Sequence, residues 1–274
     1  MVTVKRRLVI DSNMIQSQFL RDYLAVSTAN LAVLPDMFWI ETYKQESIPA
    51  VAAALSVIGS FPDQIVVLKS SGEIVAIGPL SNVMGAIPSK GASTDLREIV
   101  HAIELAKNGE QGVIAQLMRQ WSRATDHMDG MLEGAADILE SLPEMAAMFT
   151  ADELRKVRTT NTLTMSMKEK IFGAADQICE TLFREYGREA PTDRHQRADT
   201  YLYRYSLAIL MYLIWWIRNG SQLPRRHDKA RNDFIDLSFA VYGSYFDGLM
   251  TEDTKATWMH AQLCSALKAI RSIR

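Results

Sequence analysis

The sequence predicts an α/β protein: a parallel sheet formed by both chain ends, with a mostly α-helical region inserted between them. Three observations lead there. Leu8-Val9-Ile10 is a short apolar run that stops at Asp11-Ser12-Asn13, the pattern of a buried strand delivering polar groups at its C-terminal tip. A helical stretch and a second apolar run at 31–34 follow, and strand–helix–strand order predicts parallel pairing. From Thr94 to about Gly220 the apolar residues recur at helical spacing.

In order, residues 8–10 form the first strand. Residues 15–30 form a helix, with Ile15, Phe19, Tyr23 and Val26 on one face and Ser12 or Asn13 as its cap. Residues 31–34 are the second strand, closed by Pro35 and Asp36. Residues 38–55 are helical, split or kinked at Pro49. The β-branched run 65–68 is a strand. Ser70-Ser71-Gly72 reads as a turn, 74–77 as the second strand of a hairpin, and 79–92 as a loop. Thr94 is expected to cap a helix that ends at Asn108-Gly109. Further helices are expected at 111–126, 129–141, 151–158, 166–187 and 197–218, with a break at Pro143. A basic connector, 223–230, leads to a helix over 232–245, a short strand over 247–251, and a closing helix over 254–274. This divides the chain into a sheet domain, 1–92 with 221–274, and a helical insertion, 93–220.

Composition narrows the class. The chain has 274 residues, 48% hydrophobic and 23% charged, with a formal net charge of −2. These are globular values, and no global basic field announces nucleic acid, although a local basic patch suffices. Cys179 and Cys264 form no CxxC pattern, and the five histidines show no HxH or HxxxH spacing, so no zinc site is indicated. No phosphate-binding glycine motif is present. The apolar run at 206–217 is short of the ~20 residues that a membrane span needs. It reads first as a buried core helix and second as a partner interface. Only three apolar residues follow the basic Lys5-Arg6-Arg7 before Asp11, too few for a signal peptide. The expectation is a soluble, cytoplasmic protein with no membrane contact.

The candidate chemistry lies in carboxylates. Asp11 ends the first strand, Glu41 opens the helix after the second, and Asp253 ends the last strand. A parallel sheet puts these tips on one edge. Asp233 or Asp236, on the helix before the last strand, can supply a fourth acid. Carboxylates gathered this way raise each other's pKa values unless a cation is held among them, and all-oxygen ligation favours Mg²⁺ or Mn²⁺. Each acid alone also suits a plain role, Asp11 and Asp253 as helix caps and Glu41 on the surface. Tyr201, Tyr205, Tyr212, Trp215 and Trp216 suit core packing better than base stacking.

These residues carry a family resemblance. Asp-Ser-Asn at a strand end, Glu41 after the second strand, and Asn232-Asp233-x-x-Asp236 followed by Thr251-Glu252-Asp253 resemble the PIN-domain ribonucleases over about 7–45 and 229–257. The resemblance implies a PIN-like fold and a divalent-metal-dependent endoribonuclease, in the manner of a bacterial toxin or defence effector. Asp11, Glu41, Asp236 and Asp253 would be catalytic acids and metal ligands, with Asp233 competing for the third position. Ser12, Asn13 and Thr251 would orient ligands. Arg225, Arg226, Lys229 and Arg231 would contact the RNA backbone. The helical segment is longer than in small PIN toxins, and the tail reads as helix where many members add a strand. The rival readings are an inactive PIN-like scaffold or protein-binding module, and a DNA nuclease or phosphatase on the same fold. A regulatory protein partner and a homo-oligomer are both compatible with the 14 methionines.

Overall fold

The computed structural model describes residues 5–44, 46–80, 83–89, 92–160, 162–220 and 227–272; the side chains of 84, 92–95, 127–137 and 227–230 lie outside this description. The chain forms two compact units. The first comprises Met1–Ile74, Asn82–Gly130 and Tyr242–Thr254, and the second Val75–Ser81, Met131–Val241 and Lys255–Arg274.

The first unit is built on a four-stranded, wholly parallel sheet. Its strands are β1 (Arg6–Ile10), β2 (Asn30–Leu34), β3 (Ile65–Val67) and β4 (Leu249–Met250), in the order β3-β2-β1-β4. Val9 is flanked by Val33 on one side and Leu249 on the other. The strands therefore join the two chain ends, as expected from their parallel pattern. Val9, Ile10, Ala32, Val33 and Leu34 are sealed from solvent, which is why these strands read as unbroken apolar runs rather than alternating ones. Asp247 docks β4 against β1: its carboxylate accepts the Arg7 N–H at 2.7 Å, and its own N–H donates to the Arg7 carbonyl at 2.9 Å. Gly248 follows with φ 150, and a Cβ there would meet Leu8 at 3.4 Å, so the close approach of β4 favours glycine.

Helix α1 (Gln18–Val26) starts later than expected. A 3₁₀ turn, Ser12–Met14, comes first, and Ser17 caps α1 by accepting the Leu20 N–H. Ser12 and Asn13 do not cap it because their side chains turn to Asp11. The expected split at Pro49 is present: α2 (Asp36–Tyr43) ends, and α3 (Ile48–Leu55) begins with Pro49 in its first turn, where a missing N–H costs nothing.

The hairpin expected at 70–77 is instead a helix, α4 (Ser71–Ile77). Ser70 and Glu73 form a reciprocal cap: Glu73 Oε2 accepts the Ser70 N–H at 2.9 Å, and Ser70 Oγ accepts the Glu73 N–H at 3.4 Å. This S-x-x-E box outranks the turn propensity of Ser-Gly, and Ile74 and Val75 are buried by it. A short helix, α5 (Val83–Ala86), lies in the stretch expected as loop. Helix α6 (Ala92–Lys107) starts two residues before Thr94, which lies inside its first turn rather than at its cap.

The two helices expected at 111–126 and 129–141 are one helix, α7 (Gln111–Ala146), with Pro143 inside its last turn rather than at a break. The second unit continues with α8 (Ala151–Thr160), α9 (Met165–Glu185), the short α10 (Arg194–Ala198) and α11 (Tyr201–Arg218), then α12 (His227–Gly243), which ends in the first unit, and α13 (Thr254–Ser272). Helix α11 is the core of this unit and packs on α9 and α8. It is buried nearly all round, in keeping with its unbroken apolar run. Tyr201 and Tyr212 are buried there, with Tyr201 stacked on Tyr205 at 6.1 Å, so these rings are core. Among the described residues, no helix is long and apolar enough to cross a membrane.

Candidate active site at the sheet edge

Asp11 is the first residue after β1 and is 2% exposed. Its N–H donates to the Met250 carbonyl at 3.0 Å, continuing the β1–β4 ladder one step past the strands. Its carboxylate is held asymmetrically. Oδ2 accepts the Thr251 hydroxyl at 2.5 Å and the Asn13 amide at 2.9 Å. Oδ1 meets the Ser12 hydroxyl at 3.4 Å, which is a weak bond, and the backbone N–H groups of Asn13 and Ser12 also act on the carboxylate. Oδ2 thus carries the two short side-chain bonds and Oδ1 the long one.

The surrounding loop is cross-linked. Asn13 Nδ2 also donates to Thr251 Oγ1 at 3.3 Å, and Asn13 Oδ1 accepts the Glu252 N–H at 3.4 Å. Thr251 Oγ1 in turn accepts the Asp253 N–H at 3.0 Å. Asp253 stands immediately before α13, at the cap position. The structure thus brings together Asp11, Ser12, Asn13 and Thr251 through their side chains, and Asp253 through its backbone.

Burial pushes the Asp11 carboxyl above its ordinary value, and the negative charge of Glu41 adds to the rise. Hydrogen bonds from Thr251, Asn13 and Ser12 oppose it without cancelling it. Glu41 therefore acts on Asp11, and its helix α2 touches the turn that follows Asp11. Glu41 is itself paired with Lys44, one turn on, at 2.8 Å.

Asp233 and Asp236 lie on α12 within the second unit, where both pair with Lys255 of α13. Asp233 also accepts the Tyr212 hydroxyl at 2.7 Å. Burial, then the Asp233 charge, push the Tyr212 phenol far up. Burial lowers the Lys255 ammonium, but Asp236 and Asp233 outweigh it, so its pKa is raised overall. Arg231 is half-buried, and its Nε–H has no hydrogen-bond partner among the described residues. Arg225, Arg226 and the Lys229 side chain lie outside the described residues.

Three participants were not singled out from the sequence. Asp36, just past β2, accepts the Ser71 N–H at 2.6 Å and the Tyr242 hydroxyl at 3.0 Å, tying α4 and the end of α12 to the sheet edge. Its signal was the one that exposed Asp11, an acid directly after a buried apolar run. Lys44 and Lys255 had no such signal, because an ion pair depends on which side chains the fold brings opposite.

The donor set can be tested against a divalent cation. Among the described residues, no three His, Cys, Asp or Glu side chains stand close enough together to form a complete cage. Mg²⁺, however, needs only one or two carboxylates, because it retains water and takes phosphate oxygens. Asp11, whose Oδ1 holds only a long bond from the Ser12 hydroxyl among the side chains described, and Glu41, whose charge reaches it, are two carboxylates of that kind. No family model matches the chain, and no curated protein or solved structure matches it.

Proposed function

We propose that the chain is a PIN-like, Mg²⁺- or Mn²⁺-dependent endoribonuclease centred on Asp11. The observation that carries this reading is a buried carboxylate at a strand tip, bonded tightly on one oxygen and weakly by the Ser12 hydroxyl on the other, and raised in pKa by burial and a second carboxylate. Such a group is costly to keep ionised unless a cation neutralises it.

In this reading Asp11 would be the central ligand and Glu41, now paired with Lys44, would share the cation's charge. Asn13 and Thr251 fix the plane of the Asp11 carboxylate so that Oδ1 faces the ligand. Asp253 would add a further carboxylate to the shell, while Asp236 and Asp233 belong to the second unit and pair there with Lys255. A cation so held supplies Lewis acidity toward a phosphate oxygen and a water of lowered pKa. Arg225, Arg226, Lys229 and Arg231 would hold the RNA backbone as cations on phosphates. A protein partner or a second copy of the chain would act as a regulator, and the toxin or defence setting belongs to this same proposal.

One observation favours a second reading, a binding module without catalysis. Lys44 and Lys255 already pair with Glu41, Asp233 and Asp236, so these acids are neutralised without metal. Incubating a pool of structured RNAs with wild type and Asp11→Asn, in Mn²⁺, Mg²⁺ or EDTA, separates the two. Metal-dependent cutting that Asp11→Asn abolishes is the expected result. A folded wild type that neither cuts RNA nor binds Mn²⁺ by calorimetry would establish the binding module instead.

A further inference from the structure

The sheet edge that carries Asp11 extends away from β4 to β3. Ile10 follows Val9 in β1, and Leu34 at the end of β2 is paired with Val67 at the end of β3. Two strand spacings, ~10 Å, separate β1 from β3. Beside Val67 lies a hollow of about 320 Å³. Trp39 and Tyr43, one turn apart on α2, form one wall, with rings 6.3 Å apart and 25° from parallel. Leu96 and Ile99 of α6 add apolar surface, and Ser89 and Gln120 bring neutral polar groups.

Three features point to a ligand. Among the described residues the lining contains no charged side chain, so the hollow suits an uncharged ring and not a phosphate. Both aromatic rings are only half-buried, although Trp and Tyr faces are the surfaces on which bases stack. Ser89 and Gln120, both half-buried, put neutral donors and acceptors in the lining.

We infer that this hollow is a nucleobase subsite, taking the base of a nucleotide that flanks the phosphate at Asp11. The inference rests on the nuclease reading for the identity of that phosphate. The base stacks on Trp39 and Tyr43, and Ser89 and Gln120 meet its polar edge with one donor or acceptor each. Single-stranded RNA is recognised by this combination of stacking and edge hydrogen bonds. The hollow thereby selects unpaired nucleotides, because a base inside a duplex has no free face to offer.

The test is metal-free binding, followed by fluorescence anisotropy, of the full chain in EDTA. The probes are a labelled short mixed-sequence oligoribonucleotide and an abasic oligomer of the same length. The intact oligomer should bind more tightly. Trp39→Ala should cut its affinity about tenfold or more and leave the abasic oligomer unaffected. Trp39→Phe should restore most of the loss, and Gln120→Leu should weaken the intact oligomer alone. Equal affinity for the two oligomers, absence of binding by either, or equal weakening of both by Trp39→Ala overturns the subsite. Metal-dependent RNA cutting without base-dependent binding sinks this inference alone. Base-dependent binding without any cutting sinks the nuclease reading and leaves the subsite standing.

Discussion

Thr251 donates its hydroxyl to the Asp11 carboxylate across 2.5 Å, although 240 positions separate the two residues in the chain. This bond closes the sheet edge, because Thr251 belongs to the segment after β4 and Asp11 to the segment after β1. The same hydroxyl accepts the Asp253 N–H. One oxygen therefore sets both the first and the last of the sheet-edge acids.

Removing that hydroxyl should cost both stability and ligand order. Thr251→Val keeps the β-branched shape but leaves Asp11 short of its shortest bond. We expect a loss of about 1–3 kcal/mol in unfolding free energy, since a buried charged acceptor loses its partner. Mn²⁺ affinity should fall about 10–100-fold, as is usual when the group that orients a metal ligand is lost. Urea unfolding and calorimetry measure the two effects separately.

Asp11→Asn should abolish cutting and yet raise the melting temperature in metal-free buffer near neutral pH. Asn can keep the bonds from Thr251 and Asn13 through its carbonyl oxygen. The sign follows from the raised Asp11 carboxyl. A group whose folded pKa exceeds its unfolded value stabilises the fold below the unfolded value, and that contribution disappears as pH rises through the folded one. The melting advantage of Asn should therefore be absent in acid and grow toward neutral pH. Mn²⁺ should narrow the gap by stabilising wild type alone. A wild type more stable than Asp11→Asn at neutral pH in EDTA would contradict the raised pKa.

Lys255 pairs with both Asp233 and Asp236, and all three side chains are at most 19% exposed. Lys255→Met should destabilise the protein by about 3 kcal/mol, the lower end for breaking a buried ion pair, because two like charges are left together. Adding Asp233→Asn should recover part of the loss. The double-mutant cycle, measured by urea unfolding, should show a coupling energy well above the scatter of additive pairs.

Glu153 predicts the behaviour in acid. It closes a capping box with Thr150 at the start of α8 and pairs with Lys170 at 2.7 Å. The Lys170 bond first, and the Thr150 N–H second, hold its carboxyl down to about 2. A depressed carboxyl stabilises the fold above its unfolded value of 4.5 and loses that contribution as pH falls toward 2. Glu153→Gln should flatten the pH dependence of melting in that window. An unchanged slope would mean that the Lys170 pair does not persist in solution.

Burial and backbone periodicity made most of the fold legible. The buried parts of β1 and β2 were visible because residues covered on both faces must be apolar, and β3 was visible as a β-branched run. Helix α11 was visible because a helix inside a bundle is apolar all round. The errors fell where a local signal was overruled. Ser70 and Glu73 converted an expected turn into the start of α4, and one continuous α7 spans a stretch that read as two helices.

For the site, the sequence by itself determined that Asp11, Ser12 and Asn13 would stand at the tip of the first strand, since the apolar run before them can only be buried. It also determined that Thr251 and Asp253 would stand at the end of the last strand, although β4 stops at Met250, one residue short of Thr251. Tertiary structure alone decided that Thr251 and Asn13 would share one oxygen of Asp11, that Glu41 would pair with Lys44, and that Lys255 would bridge Asp233 and Asp236. The physical reason is range. Burial and periodicity act on consecutive residues and leave a trace in the order of the chain. Hydrogen bonds and ion pairs act over a few ångströms, and which side chains come that close is settled by the packing of elements far apart in sequence.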